Sequence, residues 1–323
     1  MSHAAPYPLL FEPVLMPKVW GGDRLARFGK QVKAGEKIGE SWEVADLAAT
    51  SASGAGGGSV RSVIRNGPLA GKTLHDVVAL WGEQLLGPAR LMDGSFPLLV
   101  KFLDARENLS VQVHPSPAYA AKHAGAKLKT ECWYILDAEP GSVIYKGVKP
   151  GVTREAFASH IRDGSVVDDL VSVPAVVGEC HNLPSGTVHA LGAGVLVAEV
   201  QTPSDTTFRV FDWGRTGREL HIEQSLACID FGPAPTPVQM NAGEVLRTEF
   251  FEVWQPQGGT PARLGDARCT VLMVLRGTGR LALPGGGQPQ SVNAGDTLLI
   301  PAAVAGGCEF HPAADASVLF ARI

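Results

Sequence analysis

The sequence predicts an all-β protein of two jelly-roll barrels with a few added helices. Short apolar stretches with period-two alternation recur along the chain, separated by turns rich in glycine and proline. The same order of strand, glycine turn, strand and proline-led turn also occurs twice, which indicates an internal repeat. The two copies cover 133–144 with 181–189, and 271–281 with 292–302.

A proline-rich stretch separates the two copies. Residues 232–238 (GPAPTPV) cannot form regular structure and are the expected connector. A chain of 323 residues exceeds the ~250 to 300 residues at which single cores stop growing, so two cores are expected. We predict an N-terminal domain of residues 1–232, a segment plus a barrel with helical insertions, and a C-terminal barrel of residues 239–323.

Charge and cysteine content exclude several classes of function. Lys plus Arg total 28 against 32 Asp plus Glu, without runs of like charge, so neither nucleic acid nor an anionic membrane is an expected partner. Residues 1–13 carry no basic leader and no apolar run reaches ~18 residues, which favours a soluble cytoplasmic protein. The five cysteines are scattered without a CxxC spacing, which argues against disulfides and a thiolate zinc site.

Most of the secondary structure can be predicted from periodicity. The segment 8–20 is interpreted as an edge segment before a tight turn at Trp20-Gly21-Gly22, and 51–59 as a mobile loop of Ser, Ala and Gly. Further strands are predicted at 39–44, 96–103, 109–115, 129–136, 142–147, 194–201 and 203–215, and helices at 72–91, 117–125 and 153–173.

The strand 109–115 (LSVQVHP) carries the first candidate metal ligands. Alternation places Leu109, Val111 and Val113 in one layer, and Ser110, Gln112 and His114 on the opposite face. An amide oxygen and an imidazole two residues apart suit a metal held at a sheet surface.

Two later segments contribute further ligands. Period two places Lys129, Glu131 and Trp133 on one face of the next strand, and the turn at Pro184 and Gly186 directs His189 inward. Glu131 and His189, together with Gln112 and His114, form an oxygen and nitrogen ligand set for one divalent ion per chain. In the second copy Gly306 occupies the position of His189, so the C-terminal barrel is expected to lack metal.

Several of these motifs together resemble the type I phosphomannose isomerases, in their short bacterial form. The motifs are WGG, GESWE, LSVQVHP, KTECWYIL, PSGTVHALG and AEVQTPSDTTFRVFDWGR, and their order and spacing make the match specific. The resemblance covers most of residues 8–232 and, more loosely, the rest. It implies cupin-type barrels, a catalytic zinc on Gln112, His114, Glu131 and His189, and interconversion of mannose 6-phosphate and fructose 6-phosphate. Leu191 stands where some relatives have Tyr.

The chemistry of such an isomerase requires proton-transfer groups in addition to the metal ligands. Moving a proton between neighbouring carbons through an enediolate requires a base, and the metal stabilises the developing negative charge. Glu199, which ends an apolar strand, is the first choice for the base. Lys129, Asp205 and Arg209 are further candidate catalytic groups.

Cations and polar residues are expected to bind the phosphorylated sugar. Arg209 and Arg215 have guanidinium groups that match phosphate oxygens in geometry and charge. Lys101 and Ser110 form an alternative or supplementary clamp. Glu40 and Trp20 are expected at the rim of the pocket.

Two other functions remain open from the sequence. A cupin-type oxygenase would use iron and commonly presents more imidazoles, whereas a sugar-phosphate sensor would bind without turnover. A small-molecule sugar phosphate is the expected partner, and the protein is expected to be a monomer or a weak homodimer.

Overall fold

The protein is mostly β-structure with few helices, which confirms the all-β prediction. The computed structural model describes residues 4–52 and 54–323. Residues 1–3, within the segment expected to lack a leader, and Ser53, within the predicted 51–59 loop, lie outside the described residues. None of the helices in the described ranges has the length and hydropathy needed to cross a bilayer.

Fourteen strands precede the proline-rich connector. They are β1 (Leu9–Leu10), β2 (Val14–Gly22), β3 (Ile38–Val44), β4 (Asp46–Leu47), β5 (Val60–Arg61), β6 (Leu99–Ala105), β7 (Val111–Val113), β8 (Glu131–Ala138), β9 (Val143–Val148), β10 (Leu170–Pro174), β11 (Glu179–Leu183), β12 (His189–Leu191), β13 (Val195–Gln201) and β14 (Phe208–Phe211).

Ten strands follow at the end of the connector and beyond it. They are β15 (Val238–Gln239), β16 (Val245–Arg247), β17 (Glu252–Trp254), β18 (Ala262–Arg263), β19 (Thr270–Arg276), β20 (Thr278–Ala282), β21 (Gln290–Asn293), β22 (Thr297–Ile300), β23 (Glu309–Pro312) and β24 (Ser317–Arg322). The α-helices are α1 (Leu74–Trp81), α2 (Glu83–Leu86), α3 (Pro117–Ala120), α4 (Arg154–Asp163), α5 (Ile222–Cys228) and α6 (Ala302–Ala305).

Two sheets pack face to face in the N-terminal half. One has the order β15-β11-β8-β13-β6-β2-β3 and the other the order β10-β9-β12-β7-β14. Their shared core includes Trp133 and Val197 from the larger sheet and Ile144 and Leu191 from the smaller one. The space between these sheets holds the polar site described below.

The C-terminal half repeats the two-layer arrangement. A six-stranded sheet of order β1-β22-β19-β24-β17-β16 packs on a four-stranded sheet of order β18-β23-β20-β21. The largest core lies between the two halves and joins Phe102 and Tyr134 to Val271 and Leu319. Strand β1 pairs with β22, and β15 pairs with β11, so each half contributes a strand to a sheet of the other. The predicted boundary at 232–239 stays a prediction.

The helices are shorter than periodicity predicts. The predicted helix 72–91 divides into α1 and α2 because Gly82 between them has φ +48°, outside the helical region. The region 117–125 contains only the single turn α3. Within 153–173, α4 begins after the Thr153 cap and ends at Gly164 with φ +85°, and residues from Leu170 form β10 instead.

Two local predictions were wrong. Leu109 packs with Trp20 and Trp133 between the sheets and not with Val111, because the strand β7 begins only at Val111. Gly21 lies within β2 and not in a tight turn. A Cβ atom at Gly21 would lie 2.4 Å from the backbone nitrogen of Gly39, so glycine is needed there for close approach of two strands.

We therefore expect Gly21→Ala to destabilise the protein by about 1–3 kcal/mol, the usual cost of overpacking a filled site. Gly258→Ala is the control, because nothing lies within 4 Å of a Cβ atom there. Chemical denaturation measures the free energy of unfolding of both variants. Equal stability of the two would contradict the close approach of β2 and β3.

Candidate active site

Three buried side chains, one on β8, one on β12 and one directly after β7, meet between the N-terminal sheets. Oε1 of Glu131 on β8 lies 3.4 Å from Nε2 of His114 and 3.1 Å from Nε2 of His189 on β12. All three residues are at most 1% exposed. One ligand atom from each lies within 4.8 Å of the others, which is a spacing that a single metal ion can bridge.

The second ring nitrogen of each histidine is held by the backbone. Nδ1 of His114 lies 2.9 Å from the carbonyl oxygen of Thr206, and Nδ1 of His189 lies 2.8 Å from that of Thr187. A carbonyl oxygen accepts only from a protonated Nδ1, which leaves Nε2 with a free lone pair in the neutral ring. Burial and the charge of Lys129 lower the pKa of His114 to about 3, which keeps that ring neutral.

Gln112 reaches the same point from β7. Its cross-strand partner is His189, and its amide Nε2 lies 3.3 Å from Nε2 of that histidine. The Ser110 hydroxyl is 3.5 Å from the Gln112 amide oxygen. An amide can present its oxygen or its nitrogen to a site, since both are carried by one rotatable group.

The charge of Glu131 is compensated by a lysine of its own strand segment. Nζ of Lys129 lies 2.7 Å from Oε2 of Glu131, and the lysine is buried. Burial alone would raise the pKa of Glu131, but the charge of Lys129 holds it well below its usual value. Within residues 4–52 and 54–323, neither His114 Nε2 nor Glu131 Oε1 has a hydrogen-bond partner. Buried polar atoms in this state fit a divalent cation.

A second polar group runs across the larger sheet beside this triad. Cross-strand register places Trp42, Lys101, Glu199 and Trp133 side by side on β3, β6, β13 and β8. Lys101 Nζ lies 2.9 Å from Glu199 Oε1, and Trp133 Nε1 donates to Glu199 Oε2 at 2.8 Å. The ion pair with Lys101 and the hydrogen bond from Trp133 therefore hold the Glu199 carboxylate in one position.

A cavity and a wider cleft open onto these groups. The inner cavity, about 70 Å³, is lined by Ser110, Gln112, Lys129 and Glu199 among others. The outer cleft, about 800 Å³, lies within the size range of small-molecule sites. Both are lined by Lys18, Trp20, Gly54, Arg209 and Arg218.

The arginines of this region differ in where they lie. Arg209 and Arg218 line both spaces, whereas Arg215 lines neither. The Arg215 guanidinium donates to the carboxylate of Asp212 at 2.9 Å and to the carbonyl oxygen of Asn108 at 2.7 Å. The structure does not bring Arg215 to the cavity. Its partner Asp212 also pairs with Arg218 at 3.1 Å, so the hydrogen bond to the Asn108 carbonyl oxygen is the contact that distinguishes Arg215.

The folded chain also changes the interpretation of Asp205. Its carboxylate lines the inner cavity but accepts from the backbone N–H groups of Ser51 at 2.7 Å and Ala55 at 2.9 Å. A Cβ atom at Gly54 would lie 2.4 Å from Asp205 Oδ2, so this loop closes tightly over the carboxylate. These contacts make Asp205 an anchor for the loop.

Several known proteins are similar to this chain over most of its length. Residues 10–143 match the family model of the type I phosphomannose isomerase catalytic domain. The chain is 36% identical to a probable mannose-6-phosphate isomerase of Bacillus subtilis, over 95% of this chain and 99% of that protein. It is 35% identical to a mannose-6-phosphate isomerase of Streptococcus mutans, over 91% of this chain and 92% of that protein. The chain belongs to the type I phosphomannose isomerase family.

Solved structures of the family share the fold. The crystal structure of mannose 6-phosphate isomerase from Bacillus subtilis matches with a TM-score of 0.83 and 27% identity, over 98% of this chain and 99% of that one. A zinc-bound mannose 6-phosphate isomerase structure matches with a TM-score of 0.71, over 98% of this chain and 99% of that one. At 17% identity this second likeness shows the fold alone.

Two cations in this phosphomannose isomerase family member were not identified from the sequence. Lys18 precedes the WGG motif, and Arg218 follows the predicted arginine pair by three residues. Lys18 lies in the predicted edge segment 8–20 and Arg218 lies after the predicted strand 203–215, and only the folded chain shows that both face the cavity. The predicted rim residues Trp20 and Glu40 do line the inner cavity.

The anchoring role of Asp205 leads to a prediction. Asp205→Asn keeps the shape but replaces one of the two accepting oxygens by an NH2 group, which cannot accept, so one of the Ser51 and Ala55 N–H groups loses its partner and the other donates to a weaker, neutral acceptor. We expect faster hydrogen exchange at these two amides and a higher KM, with kcat within about threefold of wild type, since a positioned general base would contribute about 10²- to 10⁴-fold. Loss of kcat by more than 100-fold with unchanged exchange would restore Asp205 as a catalytic group.

Proposed function

We propose that this chain interconverts mannose 6-phosphate and fructose 6-phosphate. The observation that carries the proposal is the convergence of Glu131, His114 and His189 beside a buried, positioned Glu199 in a chain of this family. The named relatives are mannose-6-phosphate isomerases, which supports the same substrate here. The jelly-roll description of each pair of sheets belongs to this proposal and follows the family fold.

Gln112, His114, Glu131 and His189 would hold one divalent ion per chain. Zinc is the proposed ion, because imidazole and carboxylate ligands suit it and because a family structure of the same fold is zinc-bound. When bound, the ion supplies positive charge that lowers the cost of the negative charge developing on the substrate oxygens.

Glu199 is the proposed base. The substrate must lose a proton from C2 and gain one at C1, and its O2 hydroxyl proton must move to O1. The Glu199 carboxylate lines the inner cavity, takes the C2 proton and returns it at C1 from the same face. Lys101 and the Trp133 N–H hold this carboxylate in one orientation, which favours repeated transfer at one position.

The junction of cavity and cleft would bind the phosphate. Arg209 on β14 and Arg218 lie beside each other there, since burial and the charge of Arg218 both lower the pKa of Arg209. A phosphate dianion would relieve the repulsion between the two guanidinium groups. Lys129, paired with Glu131, would add positive charge near the reacting carbons. Cytoplasmic location and a monomeric or weakly dimeric state stay predictions.

The competing functions differ in what they require of Glu199. A sensor needs no proton-transfer group, and an iron-dependent oxygenase needs no carboxylate held by a lysine and an indole at the cavity wall. Neither is favoured by the relatives. Exchange of the C2 hydrogen of mannose 6-phosphate into deuterated water, together with a coupled assay for fructose 6-phosphate, tests the isomerase directly. Zinc-replete protein that binds the sugar phosphate without exchange would be the sensor.

His114→Ala and Glu199→Gln should separate metal binding from proton transfer. His114→Ala removes one ligand, so we expect both metal content and turnover to be lost. Glu199→Gln keeps the shape but removes the base, so we expect the metal to stay while kcat falls by about 10²- to 10⁴-fold. Metal analysis and the coupled assay measure the two properties.

Asn182→Ala is a matched control. Asn182 is the cross-strand partner of Cys132 and lies on the opposite face of the larger sheet from Glu131, so the substitution should leave the metal content unchanged. A Glu199→Gln variant with full activity would remove Glu199 as the base. A His114→Ala variant that retains full metal would remove the proposed ligand set.

A further inference from the structure

Lys18 differs from the two arginines at the junction of cavity and cleft. It lies on β2, and its Nζ atom is 3.2 Å from Oε1 of Glu40 on the neighbouring strand β3. Its side chain is 20% exposed, so it faces the cleft from which a ligand would arrive. Lys18 is therefore a partly exposed cation whose counter-ion is a buried carboxylate.

Charges of alternating sign connect Lys18 to the proposed base. Oε2 of Glu40 lies 3.6 Å from Nζ of Lys101, and the same Nζ lies 2.9 Å from Oε1 of Glu199. Glu40, Lys101 and Glu199 are all at least nine-tenths buried. Electrostatic interactions in such a low-dielectric setting are stronger than in water, so a change at one end alters the other.

The middle of this row is fixed in place by Trp42. Its indole Nε1 donates to Oε2 of Glu40 at 2.6 Å, and Lys101 Nζ lies 5.0 Å from the centre of the Trp42 ring. The Lys101 ammonium group therefore cannot move far from either the Glu40 or the Glu199 carboxylate. Burial alone would raise the pKa of Glu40, but Lys18 and Lys101 lower it to about 2, which keeps the carboxylate charged.

We propose that Lys18 is a specificity-determining residue that couples the anionic end of the substrate to Glu199. This inference rests on the proposed function and deepens it. A phosphate at the junction competes with Glu40 for the Lys18 ammonium. Glu40 then has Lys101 as its remaining counter-ion, so the fixed Lys101 ammonium group compensates Glu40 more and Glu199 less, and the Glu199 carboxylate accepts a proton more readily.

This arrangement would use binding of a remote group to promote the chemical step. Interactions with a non-reacting part of a substrate raise kcat only when they change the reacting centre. Arg209 and Arg218 are the proposed phosphate ligands, whereas Lys18 contacts Glu40 directly. The row from Lys18 to Glu199 links Lys18 to the proposed base.

Lys18→Met tests the coupling. It keeps the length of the side chain and removes the charge. We expect kcat on mannose 6-phosphate to fall by about 10-fold and kcat/KM by about 10- to 100-fold, the range for one hydrogen bond to a charged group. Lys33→Met is the control, because the Lys33 side chain is 86% exposed and the substitution removes the same charge at a position away from the cleft. Metal content and thermal stability of both variants are measured alongside.

A double-mutant cycle with Glu40→Gln identifies the route. If Lys18 acts through Glu40, the double variant should have about the kcat of Glu40→Gln alone, a coupling of the kind expected for contacting residues. A rise in KM with kcat unchanged in Lys18→Met would overturn the inference, as would independent, multiplicative losses in kcat. A wild-type protein that does not convert mannose 6-phosphate would instead remove the proposed function itself.

Discussion

The whole site depends on one fully buried carboxylate. Glu131 lies between two sheets with Nε2 atoms of two histidines facing its Oε1 atom and a lysine at its Oε2 atom. Burying a carboxylate is costly unless opposite charge accompanies it. One lysine at Oε2 leaves Oε1 and the Nε2 atoms of two imidazoles facing one point, which fits a cation and gives a reason to keep a group that would destabilise an ordinary core.

The arrangement of sheets explains how this charge is kept apart from water and still reached by a ligand. Cross-strand register aligns Trp42, Lys101, Glu199 and Trp133 along the larger sheet, while Gln112 and His189 face them from the smaller one. Indole rings exclude solvent and their N–H groups donate to the carboxylates beside them. The polar layer is therefore stabilised by the same residues that orient it.

The sequence predicted the parts of the structure that local periodicity controls. Period two placed Gln112 with His114 and Lys129 with Glu131, and the ion pair between Lys129 and Glu131 follows from that alternation. Periodicity could not show how segments joined by turns pack against each other. Arg215 and Arg218 are three residues apart and both pair with Asp212, yet Arg218 lines the cavity whereas Arg215 donates to the Asn108 carbonyl oxygen instead. Such choices depend on contacts between distant segments.

Asp205 shows the same limit at a single residue. An acidic residue near Arg209 in the sequence is a reasonable candidate for proton transfer, but two backbone N–H groups from residues about 150 positions earlier donate hydrogen bonds to its carboxylate. Carboxylates that accept backbone N–H groups are stabilised in the ionised form and suit structural anchoring. Glu199, in contrast, meets a lysine and an indole across adjacent strands, and its carboxylate still faces the cavity. The donors around each carboxylate thus distinguish the loop anchor Asp205 from the proposed base Glu199, and strand register sets the donors around Glu199.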